Sequence, residues 1–219
     1  VQYIIERNNV LKHQINKTNK TLEQFKLKGN PGFIAFSSET SGAAKAILHD
    51  FTIFLKKFEV PRPKMITINF LLFDHVGGLN TLFHTIYNSG TIVVPYNRSV
   101  ENILNLCSKY HVELLPTTPT FLRIMLMSGS IPSKISKSLK IITYGTELMD
   151  PSTLKELTSL LPLIDFRQTY GLSELGVFKV KSKSRDSLYF KIVDKEIEKK
   201  IEKNILKIRS SNKMIGYLN

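Results

Sequence analysis

Within nine residues, Ser37-Ser38-Glu39-Thr40-Ser41-Gly42-Ala43-Ala44-Lys45 gathers three serines, a threonine, a glycine and a lysine. Hydroxyls, backbone N–H groups and one cation are what a phosphate chain asks of a loop, and a helix following the loop would add its positive end. The spacing G-x-x-x-x-G-K-[ST] is not met, so this is not a Walker loop. On composition alone, a Ser/Thr-rich turn capping the next helix is the simpler reading.

Three later stretches also hold polar groups in small-residue settings: Asp74-His75-Val76-Gly77-Gly78, Tyr144-Gly145-Thr146-Glu147 and Tyr170-Gly171-Leu172-Ser173-Glu174. His75 reads equally as a satisfied core histidine or as a group facing a ligand. Glu174 suits a surface carboxylate or a hard-cation ligand. Ser173 is no hydrolase nucleophile of the G-x-S-x-G type, because Leu175 stands where the second glycine is required.

The elements that must position these groups follow from periodicity and punctuation. Residues 1–28 carry Ile4, Ile5, Leu11, Ile15, Leu22 and Phe25 at near-helical spacing, which predicts one or two polar helices. Asn30-Pro31-Gly32 is a turn, and Phe33–Phe36 a short strand. A helix is expected from about Ala43 to Phe58, broken by Pro61 and Pro63. Strands are expected at Met65–Phe73, Thr91–Val94, Val112–Leu115 (closed by Pro116), Leu139–Thr143 and Leu163–Thr169. Helices are expected at Leu79–Tyr87, Val100–Tyr110, Pro119–Met127 and Pro151–Leu161. Such alternation implies an α/β fold with a mostly parallel sheet and flanking helices. In such sheets ligands bind beyond the carboxyl ends of the strands. The four chemistry-bearing stretches, 37–45, 74–78, 144–147 and 170–174, all follow strands. From Lys179 the pattern changes to a β-rich tail, with strands at Leu188–Val193 and Ile205–Arg209. Ile197, Ile201 and Ile205, four apart, would also suit a helix, but strands turning near Lys203-Asn204 are favoured.

The chain has 219 residues, 42% of them apolar, enough to bury a core. It has no apolar run near the length of a membrane span. The first residue is not Met and no leader pattern precedes the fold, which suggests a piece of a longer chain. The single cysteine, Cys107, excludes an internal disulfide and fits a reducing cytoplasm. No CxxC, HExxH or His/Cys cluster marks a transition-metal site. The net charge of +13 would suit nucleic acid or an anionic membrane. However, the lysines run from Lys12 to Lys213 without an aromatic-interleaved motif. A solvated basic surface is therefore the favoured reading, with no specific nucleic acid.

The loop at 37–45 resembles the phosphate loop of the adenylate-forming superfamily (acyl- and aryl-CoA synthetases, luciferases, peptide-synthetase adenylation domains), roughly [ST]-S-G-[ST]-[ST]-G-x-P-K. The departures are Glu39 for glycine and Ala44 for proline. Further segments resemble that family in the same order. "NFLLFDHVGGL" is similar to its aromatic-His-x-x-Gly segment, and "ELLPTTPTFLRIML" to its next strand-helix step. "SLKIITYGTELM" resembles G-G-E-x-L, "QTYGLSELG" resembles Y-G-x-T-E, and "MIGYLN" resembles the residues just before T-G-D.

The resemblance implies activation of a carboxylic acid by Mg²⁺·ATP to an acyl-adenylate. The acyl group then passes to CoA or to the phosphopantetheine of an acyl or peptidyl carrier protein. It implies that Ser37, Ser38, Thr40, Ser41, Gly42 and Lys45 hold the triphosphate and that Gly145, Thr146 and Glu147 border the nucleotide and acyl pocket. Tyr170, with Gly171, would stack on adenine and Ser173 would reach the α-phosphate. Glu174 would bind Mg²⁺, and His75 would stand beside the substrate carboxylate. It also implies that residues 1–178 are the α/β part of an AMP-binding large domain, residues 179–219 begin a barrel-like subdomain, and a small C-terminal domain lies beyond Asn219. Turnover by this piece alone is then not expected. Glu39 places a carboxylate where phosphate is expected, so a degenerate, non-catalytic homologue is one alternative. Asp74, able to meet an ammonium group, keeps an amino-acid adenylation domain as another.

Overall fold

A computed structural model describes residues 2–6, 9–13, 19–37, 44–129, 131 and 135–218, the first two stretches as backbone only. The chain opens with an antiparallel hairpin, β1 (Gln2–Glu6) and β2 (Asn9–His13), before a short α1 (Lys20–Lys26). The near-helical spacing expected over 1–28 is therefore overturned at its start. The run pairs Ile4 with Leu11 and Ile5 with Val10, and β-branched residues favour extended backbone.

β3 (Gly32–Ser37) and β4 (Lys45–Asp50) form a second hairpin, in register from Gly32↔Asp50 to Ser37↔Lys45. This corrects the helix expected over 43–58. Only α2 (Phe51–Lys56) is helical there, and Lys45 sits on a strand. Ile47, Leu48, His49 and Asp50 are all buried, so the strand shows none of the alternation that would separate it from a helix. The break falls at Asp50, whose carboxylate accepts from the Thr52 and Ile53 N–H groups, the Thr52 hydroxyl and Asn30 Nδ2. Burial opposes ionisation, but these bonds outweigh it and hold the carboxyl below its ordinary range. Asp50 is thus the N-cap of α2.

The alternating segment keeps the expected order, but the strand expected over Met65–Phe73 shortens to Ile66–Ile68 and the helix expected from Leu79 starts at Val76. β5 (Ile66–Ile68), α3 (Val76–Tyr87), β6 (Thr91–Val93), α4 (Val100–Lys109), β7 (Leu114–Thr117), α5 (Pro119–Met127), β8 (Ile141–Tyr144), α6 (Pro151–Leu160) and β9 (Asp165–Gln168) follow in turn. The strands make one parallel sheet in the order β6-β5-β7-β8-β9. Proline opens α5 and α6, where its missing N–H is harmless, and Thr118 and Asp150 cap them. Pro116 lies inside β7 instead of closing it. It faces Thr143 of β8, beyond the point where β5 stops pairing. Ile68, Leu115, Ile142 and Phe166 from the strands pack with Leu104, Leu122 and Leu157 from the helices in one continuous core.

The tail is β-rich, as expected. Three hairpins form it: β10 (Tyr170–Leu172) with β11 (Gly176–Phe178), β12 (Val180–Ser182) with β13 (Phe190–Ile192), and β14 (Ile197–Glu202) with β15 (Ile205–Ser210). Lys203 and Asn204, both at positive φ (48° and 62°), make the turn between β14 and β15, the backbone that two-residue hairpin loops require. Finally β16 (Gly216–Tyr217) returns to pair with β4, giving a three-stranded sheet β16-β4-β3. The chain is thus an α/β protein with a parallel sheet, flanking helices and a β-rich tail.

Candidate functional site

The carboxyl ends of the parallel strands open into a cleft of about 440 Å³. Phe36, Ser37, Phe70, Leu71, Leu72, Asp74, His75, Arg98, Thr146 and Ser173 line it. Residues far apart in sequence meet there because each follows a strand: β3 delivers Ser37, β5 the 70–75 segment, β6 Arg98, β8 Thr146, and β10 Ser173. The same edge carries buried polar atoms that no described residue satisfies, namely Asn69 Oδ1, Thr117 Oγ1 and Gln168 Oε1, just after or at the ends of β5, β7 and β9. Buried polar groups are nearly always hydrogen-bonded, so these orphans ask for donors from water or a ligand.

His75 is the N-cap of α3. Its Nδ1 accepts the Gly77 N–H at 2.9 Å, so the neutral ring carries its proton on Nε2. Burial lowers its pKa, against the opposing charge of Asp74. The imidazole is therefore kept neutral and offers a donor. The close approach of the 71–72 backbone requires Gly78 behind it, since a Cβ there would stand 1.9 Å from the Leu72 carbonyl oxygen. Gly77 and Gly78 lie in the first turn of α3, so the helix begins before the Leu79 expected from the sequence.

Gly145-Thr146 crosses the top of β8 under similar constraint. A Cβ on Gly145 would meet Thr169 Oγ1 at 2.2 Å, and that hydroxyl already donates to the Tyr144 carbonyl at 3.1 Å. Thr146, on the cleft wall, holds φ 72°. Left-handed backbone in a β-branched residue costs of order 1–3 kcal/mol and clusters at functional sites. Glu147 turns away: its Oε2 accepts from the Thr120 N–H (3.2 Å) and hydroxyl (2.5 Å), tying the loop to the start of α5.

The Ser173-Glu174 segment is clamped from two sides. His49 Nε2 of β4 donates to the Ser173 carbonyl at 2.8 Å, and the Met214 N–H donates to the Glu174 carbonyl at 2.7 Å. Burial lowers the His49 pKa, opposed by the Ser173 bond and the Glu174 charge. Tyr217 Oη donates to Glu174 Oε1 at 2.9 Å, and Lys45 Nζ lies 5.2 Å from the Tyr217 ring centroid. Lys45, Tyr217 and Glu174 thus form a chain beside the cleft, built by β4 and β16. Tyr170 packs against Phe178 and Phe190, at centroid distances of 5.7 and 5.5 Å, and Gly171 follows it in β10.

Of the residues singled out in the sequence, Ser37, Asp74, His75, Thr146 and Ser173 meet in the cleft. Lys45, Gly145, Glu147, Tyr170, Gly171 and Glu174 belong to the segments around it without lining it. Ser38, Thr40, Ser41 and Gly42, with Glu39, lie outside the described residues. Sequence reasoning missed Arg98, His49 and Tyr217. Arg98 follows β6 and was open to the rule that found the others. His49 was hidden by the helix assigned to its strand.

Comparison with known proteins finds a family and a shared fold. The model for "AMP-binding enzyme" matches residues 2–198. Among curated relatives, 4-coumarate–CoA ligase-like 6 of Arabidopsis thaliana is 23% identical over 154 residues, covering 64% of this chain and 27% of its own length. Acyl-CoA ligase AKT1 of Alternaria alternata is 27% identical over 155 residues, covering 67% and 27%. The chain therefore spans little more than a quarter of these relatives. The fold is shared with the luciferase-like enzyme from the nonluminescent Zophobas morio mealworm (TM-score 0.68, 24% identity, 84% of this chain and 49% of that one). It is shared too with the anthranilate CoA ligase AuaEII in complex with anthranoyl-AMP (TM-score 0.69, 17% identity, 84% and 40%). With the family model covering most of its length, the chain belongs to the AMP-binding enzymes of the adenylate-forming superfamily.

Proposed function

We propose that the chain supplies the nucleotide- and acid-binding core of an AMP-forming acid–thiol ligase. The observation that carries this reading is the convergence of Ser37, His75, Thr146 and Ser173 on one cleft in a member of the AMP-binding family. A carboxylate oxygen of the acid attacks the α-phosphorus of ATP, and the bond to the bridging oxygen breaks as pyrophosphate leaves with the electron pair. A thiol of CoA, or of a carrier protein's phosphopantetheine, then attacks the acyl carbon and AMP departs. Positioning and charge neutralisation are most of what the protein contributes.

In this reading the 37–45 loop and Lys45 take the triphosphate. The Nε2–H of His75 orients the acid, the Ser173 hydroxyl reaches the α-phosphate, and Tyr170 offers a ring to adenine beside Gly171. Gly145 and Thr146 shape the pocket wall, and Glu147 fixes their loop against α5. Mg²⁺ is commonly held by one or two carboxylates and substrate phosphates, and when bound it neutralises phosphate charge. Glu174, a single carboxylate next to Ser173, fits that donor set and would hold it. Residues 1–178 would form the large domain's α/β part and 179–219 the start of its barrel-like portion.

Calorimetry of this chain with Mg·ATP tests the proposal, and saturable binding is expected. Glu39→Gly removes a carboxylate from the phosphate loop and is expected to tighten binding. Binding by Glu39→Gly alone would favour the degenerate reading that Glu39 itself suggests. No binding by either protein would overturn the assignment.

A further inference from the structure

The cleft wall is largely apolar, formed by Phe36, Phe70, Leu71 and Leu72, yet it contains the guanidinium of Arg98. Arg98 is held in place from one side only. Its Nε donates to the Phe70 carbonyl at 2.5 Å, and its Cζ stands 6.0 Å from the Phe70 ring centroid. With Nε tethered, the guanidinium plane is fixed, and its two terminal nitrogens have no hydrogen-bonding or ionic partner among the described residues. Asp74 shares the cleft but forms no ion pair with Arg98 among them, and its charge acts on His75. A fixed guanidinium with a free fork in apolar surroundings is suited to a planar anion.

Which anion it takes follows from the chemistry, given the acid-activating reading above, on which this inference rests. The carboxylate that is adenylated loses its negative charge on becoming a mixed anhydride. A guanidinium bound to it would stabilise the starting acid more than the transition state and raise the barrier. The partner of Arg98 should instead stay charged throughout. We propose that Arg98 is a specificity residue that receives a second, unreacting carboxylate, so that the preferred substrate is a dicarboxylic acid. The apolar wall at Phe70–Leu72 would contact its hydrocarbon spacer.

The test is calorimetric titration of the chain with straight-chain dicarboxylates of increasing length and with monocarboxylates of matched length, with and without Mg·ATP. At one spacer length the diacid is expected to bind at least about tenfold more tightly, as for a charge-assisted bidentate pair. Arg98→Gln should bring the ratio to about one and leave Mg·ATP binding unchanged. Arg98→Lys, which keeps the charge but loses the fork, should retain only part of the preference, and it carries the test if the glutamine variant does not fold. Equal binding of mono- and diacids at every length would overturn the proposal. So would an Arg98→Gln variant that weakens both classes alike, since Arg98 would then serve only to hold Phe70. A diacid preference without Mg·ATP binding would leave the assignment of Arg98 standing and overturn the ligase reading instead.

Discussion

The parallel sheet and the β16-β4-β3 sheet meet at the same cleft but are held together differently. The parallel sheet is stabilised by burial: Ile68, Leu115, Ile142 and Phe166 stand within one apolar cluster, and neighbouring strands are joined by short helical crossovers. The small sheet depends on polar contacts between distant segments, such as His49 with Ser173 and Tyr217 with Glu174, and on a cluster of stacked and edge-to-face rings. Phe33 lies 4.9 Å from both His49 and Phe54, and Phe51 5.3 Å from Phe83. The frame of the site is set by non-directional packing, whereas the placement of its polar groups is set by a few directional bonds. Damage to the first should cost stability; damage to the second should loosen the site at little cost in stability.

Four experiments test this contrast. Ile142→Ala empties a fully buried position in the central strands. It should cost about 2–5 kcal/mol, read by chemical denaturation; a loss below about 1 kcal/mol would show that the sheet is not held mainly by burial. Gly78→Ala forces a Cβ against the Leu72 carbonyl. About 1–3 kcal/mol is expected from such overpacking, with the nucleotide affinity falling as His75 shifts. Unchanged stability would mean that α3 can slide freely.

The third experiment concerns pH. Burial first, then the charges of Arg62 and Lys57, push the His84 imidazole down to about 3. Its ring meets Phe58 edge-on at 4.7 Å, and its Nδ1 has no partner among the described residues. Because the folded value lies below the unfolded value of about 6.5, the stability it preserves is complete above about pH 6.5 and is lost as pH falls toward about 3. The slope is at most about 1.4 kcal/mol per pH unit. His84→Leu should flatten the acid limb of the Tm–pH curve, and an unchanged limb would place the acid sensitivity elsewhere. The smallest effect is expected for Tyr217→Phe. Losing one exposed hydrogen bond should cost about 0.5–1.5 kcal/mol or less, while Mg·ATP affinity changes more than stability does. The reverse pattern would make Tyr217 a structural residue only.

The same contrast explains what was legible in the sequence. β6, α4, α5 and α6 fall within a residue or two of their expected spans, because their apolar periodicity, their N-caps Ser99, Thr118 and Asp150, and their prolines agree with one another. The β14–β15 hairpin also turns at Lys203-Asn204, as read. β4 failed because a strand buried at four successive residues has no period to detect. β1–β2 failed because its apolar residues fall at helix-like intervals by chance of composition. In the cleft, Ser37, His75, Thr146 and Ser173 were visible because each follows a strand. The clamps formed by His49 and Tyr217 were not, because they depend on a pairing between β4 and β16 that nothing local in the sequence encodes.

That pairing sets an order of events during synthesis. Tyr217 lies opposite Ile47, the Ile215 N–H bonds to the Leu48 carbonyl, and Asn19 Nδ2 reaches the Leu218 carbonyl across 199 positions of chain. The parallel sheet can form while the ribosome is still elongating, since its neighbours are close in sequence. The small sheet must wait until residues 214–218 have left the exit tunnel. A nascent chain stalled before that point would hold a folded frame with an unfinished site, so the cleft gains its full set of polar contacts only after residues 214–218 have emerged.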